Sequence, residues 1–185
     1  EEIVVPEELK IKVGRKNEGG EVNEGDVYAA FNGDNTSYWQ RTVAYDIANS
    51  PSEEDVTIEI ELPTTLVNNL NINTIQIHPH PENGIVIQNI EIHYQNAWEQ
   101  IPGFIQHELS SVNGNEYAPR KKWYFPNKPV QKIRVTMVQK NPIESGGKKI
   151  FVLGAQEIGV YQSMFESSGG IVLTPFEMDG IYNIE

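Results

Sequence analysis

Alternation of apolar and polar residues with a period of two is the feature that most restricts the fold of this chain. It is clear in residues 9–13, 56–62, 75–77, 90–94 and 133–137, where every second residue is apolar. This pattern is typical of strands with one buried face, because successive side chains of a strand point to opposite sides. No window of a dozen residues carries the apolar stripe of a helix. The sequence therefore predicts an all-β protein with little or no helix.

The segments between these strands are rich in turn-forming residues. They read HPHPENG, VNGNEYAPR, PNKP and NPIESGG. Gly and Asn tolerate positive φ and Pro presets φ, so such clusters are typical of turns and loops. Two further short β-branched runs, 150–153 and 158–161, are predicted as buried strands. Many short strands separated by turns favour an antiparallel sandwich or barrel.

The length of 185 residues fits one domain that is large enough to bury a core. After Gln162 the composition changes: the residues SMFESSGG are mostly small and polar, and a new apolar segment follows them. We therefore predict a β-sandwich over residues 1–162. Residues 163–185 are predicted as a linker with an extra strand, or as a tail that docks on a neighbouring domain or subunit.

Charge and composition exclude several partners. A net charge of −12 opposes binding to phosphate backbones, so no nucleic acid is expected. No apolar run approaches the roughly 18 residues of a membrane span, so no membrane insertion is expected. There is no cysteine, and hence no disulfide. The opening EEIVVPEELK lacks the features of a signal peptide and an initiator Met, so we expect a mature or excised piece of a longer protein.

Six segments, in order, resemble a known family. FNGDNTSYW (31–39) is similar to the DGdxxTxW corner of discoidin-like domains, also called coagulation-factor type C domains, of the galactose-binding-like superfamily. VTIEIELP, LNINTIQIHPHP, IQNIEIHYQNAWEQI, VQKIRVTMV and LGAQEIGVY are similar to its later strands. The resemblance covers roughly residues 25–162. It implies a discoidin-like jelly-roll β-sandwich of antiparallel strands. Asn32 stands where the family usually has Asp, and Thr57 where it often has Trp.

The resemblance also implies a structural calcium ion. Carried over by position, its ligands are Asn32, Asp34, Thr36 and Glu157, with backbone carbonyls completing the shell. Calcium takes six to eight hard oxygen ligands, and a tight turn at Gly33 can aim several carbonyls at one point. The alternative is a metal-free corner in which Asp34 and Thr36 hydrogen-bond to their own backbone.

Two aromatic residues, Tyr38 and Trp39, follow this turn directly. One interpretation is a corner tryptophan packed into the sandwich. The other makes one aromatic ring a platform for a pyranose ring, because sugars present apolar C–H faces that stack on exposed aromatic rings.

The HPHP loop brings two histidines close together in sequence. Two ligands are too few for a zinc site, which usually has three or four. In related carbohydrate-binding modules this loop often carries polar contacts to the sugar. The complete predicted ligand-binding set consists of Trp39, Arg41, His78, His80, Arg120 and Trp123.

No catalytic motif is present: there is no nucleophile elbow, P-loop, HExxH or dinucleotide fingerprint. The sequence therefore predicts a non-catalytic binding module. Its partner would be a glycan or cell-surface polysaccharide, and its parent a larger surface, secreted or phage tail protein. The alternative is a structural domain of a virion, in the tail, baseplate or a capsid appendage, that contacts other subunits and has no glycan ligand. Either function places the chain outside the cell, on the cell surface or in a virion.

Overall fold

The computed structural model describes residues 9–33, 36–63, 72–80, 84–109, 121–126, 128–165, 171–178 and 181–182. These residues form strands and two short 3-10 turns, Val27–Ala30 and Ile47–Asn49. The strands are β1 (Lys10–Gly14), β2 (Glu21–Glu24), β3 (Trp39–Asp46), β4 (Glu54–Glu61), β5 (Thr74–Pro79), β6 (Ile85–Tyr94), β7 (Ala97–Gln100), β8 (His107–Leu109), β9 (Lys121–Tyr124), β10 (Lys132–Gln139), β11 (Ile143–Ser145), β12 (Lys148–Phe165), β13 (Ile171–Met178) and β14 (Ile181–Tyr182). The prediction of an all-β fold with little or no helix is confirmed.

The strands form two antiparallel sheets. The first has the order β1-β4-β10-β6-β7, with β8 also paired to β6. The second has the order β14-β13-β12-β3-β2, with β11 and β5 also on β12 and β9 on β5. Neighbours in these sheets are distant in sequence, as in β10, which lies between β4 and β6. This strand order excludes a simple meander, and the two sheets share one buried core, as in a sandwich.

The alternation in the sequence separates the core from the surface. In β4 the side chains of Val56, Ile58 and Ile60 are fully buried, whereas Thr57 and Glu59 between them are partly exposed. Each fully buried aliphatic side chain contributes about 1.5–3 kcal/mol of hydrophobic free energy. The inner faces of the two sheets together form one apolar cluster.

Charged side chains occupy the outer face of the first sheet. Arg134 on β10 donates to both carboxylate oxygens of Glu91 on β6, at 2.9 and 3.1 Å. The guanidinium group of Arg134 also lies 4.0 Å from the ring centroid of Trp98. These contacts join neighbouring strands across the sheet surface. The contact with Arg134 holds Trp98 on the outer face of the first sheet.

A buried carboxylate links the two sheets near one end. Glu54 on β4 accepts hydrogen bonds from the Tyr45 hydroxyl at 2.6 Å, from Arg15 Nε at 3.1 Å and from Asn17 Nδ2 at 3.1 Å. Tyr45 lies on β3 in the other sheet, and its hydroxyl also accepts from Arg15 Nη2 at 2.6 Å. Burial of the Tyr45 hydroxyl, and its hydrogen bond to Glu54, raise its pKa to about 12. The carboxylate therefore receives this hydrogen bond, in addition to those from Arg15 and Asn17, while the tyrosine is protonated.

The C-terminal residues extend the second sheet. The predicted boundary after residue 162 falls inside β12, which continues to Phe165. β13 pairs with β12, and β14 pairs with β13. The described part of the chain contains no helix with the length and hydrophobicity that a membrane span requires.

Replacing Tyr45 with Phe should lower the free energy of unfolding by about 1–3 kcal/mol at neutral pH, because the buried Glu54 carboxylate loses a donor. The folded-state pKa of about 12 lies above the ordinary 10. The hydroxyl's contribution is therefore fully present below pH 10 and is lost as the pH rises towards 12. Denaturant unfolding of both proteins should show the difference between them shrinking above pH 10. A difference that stays constant across this range would contradict the role given to the protonated hydroxyl.

Candidate functional site

The ends of β3 and β5 meet on β12. Ala155 is paired with Trp39 on one side and with Pro79 on the other. The amide of His80 donates to the Gly154 carbonyl at 3.1 Å. A Cβ on residue 154 would collide with the Trp39 carbonyl and lie 3.0 Å from the His80 carbonyl oxygen. Glycine at this position therefore lets both strand ends come close to β12.

This junction places an exposed aromatic ring beside a histidine. The ring centroids of Tyr38 and His80 are 3.9 Å apart with an interplanar angle of 26°, so the rings are stacked. His80 Nε2 lies 3.0 Å from Gln40 Oε1. Because that oxygen can only accept, the contact places a hydrogen on Nε2. We call Tyr38, Gln40 and His80 the Tyr38–His80 platform.

The turn before the platform has polar contacts of its own. Asn32 Nδ2 lies 2.7 Å from Ser37 Oγ, and the same hydroxyl lies 3.1 Å from Asn32 Oδ1 and 3.2 Å from the Ala29 carbonyl oxygen. Gly33 has a φ of 72°, which favours glycine. Asn32 and Thr36 are exposed. Asp34 lies outside the described residues.

The two tryptophans of the predicted ligand set are core residues. Trp39 is 0% exposed and Trp123 is also buried. Trp123 pairs with Ile75 across β5 and β9, and its ring lies 6.4 Å from that of Phe104. A buried ring has no free face for a sugar, so the predicted ligand contacts of Trp39 and Trp123 are wrong. For Trp39 the structure supports the other interpretation, a corner tryptophan packed into the sandwich. The physical reason for Trp39 is its register, since it is the first of the inward-facing positions of β3.

Two other predicted ligand residues are also buried. The side chain of Arg41 pairs with Glu24, with 3.2 Å between Nη1 and the carboxylate. His78 is buried on β5, where it is paired in register with Glu157 on β12. Their burial argues against direct contact with a ligand. Arg120 lies outside the described residues, so its role stays a prediction.

The predicted calcium ligands are divided between the exposed turn and the buried strand β12. Glu157 is only 3% exposed, and a carboxylate in such a place requires a cation or hydrogen-bond donors. Asn32 and Thr36 offer amide and hydroxyl oxygens, the hard donors that suit calcium. These residue types fit the ion in kind. Among the described residues, no cluster of three or more His, Asp or Glu side chains forms a metal site. Calcium therefore stays a prediction.

The sequence contained a signal for the platform. Tyr45 and Val43 are apolar positions two residues apart on β3. If this alternation continues towards the start of the strand, the side chain of Trp39 faces the core and those of Tyr38 and Gln40 face outward. The polar Arg41 at an inward position obscured this register, and Gln40 was missed for that reason. Tyr38 was recognised only as one of two possible platforms.

We compared the chain with known proteins. No protein-family model matches the sequence, and no curated protein matches it. Among solved structures, CBM32-3 from a family 31 glycoside hydrolase of Clostridium perfringens matches with a TM-score of 0.51 and 19% identity, covering 85% of this chain and 93% of that chain.

Two further Clostridium perfringens modules match less well. CpGH89CBM32-5, in complex with GalNAc-β-1,3-galactose, has a TM-score of 0.43 and 18% identity, covering 85% of this chain and 97% of its own. The family 32 module of NanJ, in complex with galactose, has a TM-score of 0.41 and 16% identity, covering 85% and 96%. The conclusion about the fold therefore depends on the first match and on the sheet topology. The chain has the galactose-binding-like, or discoidin-like, β-sandwich fold.

The neighbouring residues Tyr38 and Trp39 allow a sharp test of this division between platform and core. Trp39→Ala should cost about 3–5 kcal/mol of stability, because it empties a fully buried aromatic site. Tyr38→Ala should change stability by less than about 1 kcal/mol, because that ring is 49% exposed. Thermal and denaturant unfolding of the two variants measures both effects. Equal losses would contradict the assignment of Tyr38 to the surface.

Proposed function

We propose that this chain is a non-catalytic glycan-binding module and that the Tyr38–His80 platform is its ligand site. The observation that carries the proposal is the exposed Tyr38 ring, held by stacking on His80 beside polar turn residues. An aromatic ring with hydrogen-bonding groups next to it suits a pyranose, which has both apolar C–H faces and hydroxyl groups. The fold shared with CBM32-3 agrees with this proposal, but at 19% identity the function depends on the site.

The position of the ring is fixed before any ligand arrives. One side of Tyr38 is stacked against His80, and Gln40 holds the imidazole through Nε2. The ring therefore loses little conformational freedom on binding, which reduces the entropic cost of capturing a weakly bound sugar. The amide of Gln40 and the hydroxyl groups of Ser37 and Thr36 are the nearby groups that would hydrogen-bond to sugar hydroxyls.

The charge of the chain favours a neutral glycan. The net charge of −12 repels polyanions such as acidic polysaccharides. None of the three platform residues is a lysine or an arginine, so the platform itself has no permanent positive charge to attract an anionic group. The proposed partner is therefore a neutral cell-surface or extracellular glycan, which implies that the module works outside the cell.

Glycan binding should be abolished by Tyr38→Ala and weakened at least tenfold by His80→Ala, because the first removes the platform and the second its support. A glycan array with labelled protein, followed by calorimetry, measures the loss; galactose and GalNAc-β-1,3-galactose are useful first probes. Tyr124→Ala is the matched control, since Tyr124 is a tyrosine of similar exposure, 46%, on β9.

Three outcomes of this experiment count against the site. The first is no reproducible glycan binding by the unmodified protein, which would remove the proposed function. The second is full binding by Tyr38→Ala. The third is an equal loss in Tyr124→Ala, which would place the ligand elsewhere. Melting temperatures of all variants should match the parent, so that lost binding is not a consequence of unfolding.

We also propose that a calcium ion is held by Asn32, Asp34, Thr36 and Glu157, where it would fix the turn that carries the platform. A chelator should then lower the melting temperature, because the ion binds the folded state selectively, and added calcium should restore it. Glu157→Gln should remove this calcium dependence. An unchanged melting temperature, together with no ion in a metal analysis, would leave the turn as a metal-free corner.

A further inference from the structure

We propose that Asn32 is a site of spontaneous deamidation, which changes the turn beneath the Tyr38–His80 platform as the protein ages. Asn32 is exposed and is followed by Gly33, whose φ is 72°. Glycine has no Cβ to obstruct the approach of its own backbone nitrogen to the preceding side chain. The two reacting groups are therefore adjacent in sequence, and the Asn32 residue is accessible to water.

The reaction needs only water as a co-reactant. The backbone nitrogen of Gly33 attacks the side-chain carbonyl carbon of Asn32 and gives up its proton to solvent. The bond from that carbon to the side-chain nitrogen breaks, and ammonia leaves with a proton from solvent. The resulting five-membered succinimide then adds water at one of its two carbonyl groups. The product is aspartate or isoaspartate, and no oxidation or reduction takes place.

Ser37 lies where it can assist this ring closure. Its hydroxyl oxygen is 3.1 Å from Asn32 Oδ1 and 2.7 Å from Asn32 Nδ2. As the nitrogen attacks, negative charge develops on Oδ1, and a hydroxyl donor at this distance stabilises it. The hydroxyl has one proton, and the Ala29 carbonyl oxygen at 3.2 Å is the competing acceptor, so the proton turns to Oδ1 as negative charge develops there. We assign Ser37 as a positioning and polarising residue for the reaction.

The product differs from Asn32 in charge and in contacts. A carboxylate at this position loses the amide donor to Ser37 Oγ and gains a negative charge. Isoaspartate also lengthens the backbone by one methylene group. Ser37 is the direct neighbour of Tyr38, so both products alter the support of the platform. The consequence for glycan binding rests on the proposed function, whereas the modification itself does not.

The test follows the amide by mass spectrometry. The folded full-length chain is incubated at mildly alkaline pH and 37 °C, digested, and mapped for peptides that gain the mass difference between an amide and an acid. Asn96 is an internal control, because it is also exposed with positive φ, 63°, but precedes Ala97, whose Cβ hinders the attack. Asn32 should convert at least tenfold faster than Asn96 and yield both aspartate and isoaspartate. Equal rates at the two positions would overturn the proposal.

Two variants define the mechanism. Asn32→Gln should retain its amide throughout, because a six-membered ring closes more slowly. Ser37→Ala should slow the conversion of Asn32 severalfold, and an unchanged or faster rate would overturn the role of Ser37. Circular dichroism before and after incubation shows that the reaction occurs in the folded chain; conversion only in unfolded protein would also overturn the proposal.

The effect on the platform is measured separately with Asn32→Asp, which fixes one product. Measured in chelator, so that the new carboxylate cannot act through the proposed calcium ion, this variant should bind the glycan identified for the parent at least threefold more weakly. Unchanged affinity would overturn the link to the platform. If the parent binds no glycan, the proposed function fails, but the peptide map still decides whether Asn32 deamidates. The two failures are therefore distinguishable.

Discussion

The junction of β3 and β5 on β12 is the constraint on which the rest of the site depends. Gly154 has no side chain, so the carbonyl groups of Trp39 and His80 both approach it closely. This brings together Gln40 and His80, which are 40 residues apart in sequence. A larger residue at 154 would separate the two strand ends, and with them the stacked rings. The platform is thus a product of backbone packing inside the second sheet.

A buried polar cluster also joins the two sheets, at the opposite end of β3 from this junction. Glu54 is fully buried, and its hydrogen bonds reach Tyr45 on the opposite sheet. A buried carboxylate is costly unless it is well hydrogen-bonded, so the arrangement tolerates few alternatives. Tyr45 and Gln40 lie on the same strand, so β3 contributes one residue to this polar cluster and another to the platform.

Alternation along the chain was sufficient to predict an all-β sandwich or barrel, because burial of every second residue is a local property of each strand. The discoidin-like sandwich followed from the resemblance of six segments to that family. The alternation predicted β4 and β10 closely, and it separated the buried Ile58 and Ile60 from the partly exposed Glu59. It predicted two short strands where the single long strand β12 exists, since Gly154 interrupts the apolar pattern without ending the strand. The candidate site was predicted less well. The stacking of Tyr38 on His80 arises from strand pairing between distant segments, and no local pattern reports such a contact.

Tyr38 and Trp39 show how one turn can serve both stability and binding. Because side chains alternate along a strand, the inward position of Trp39 requires that its neighbours face outward. Burial of Trp39 in the core therefore fixes which side chains of this segment face inward. Tyr38 and Gln40 then face outward, beside His80. Residues on the outer positions can change without loss of the core, which makes ligand specificity separable from folding. This separation explains how a sandwich of low sequence identity to CBM32-3 can keep the same fold while its surface groups differ.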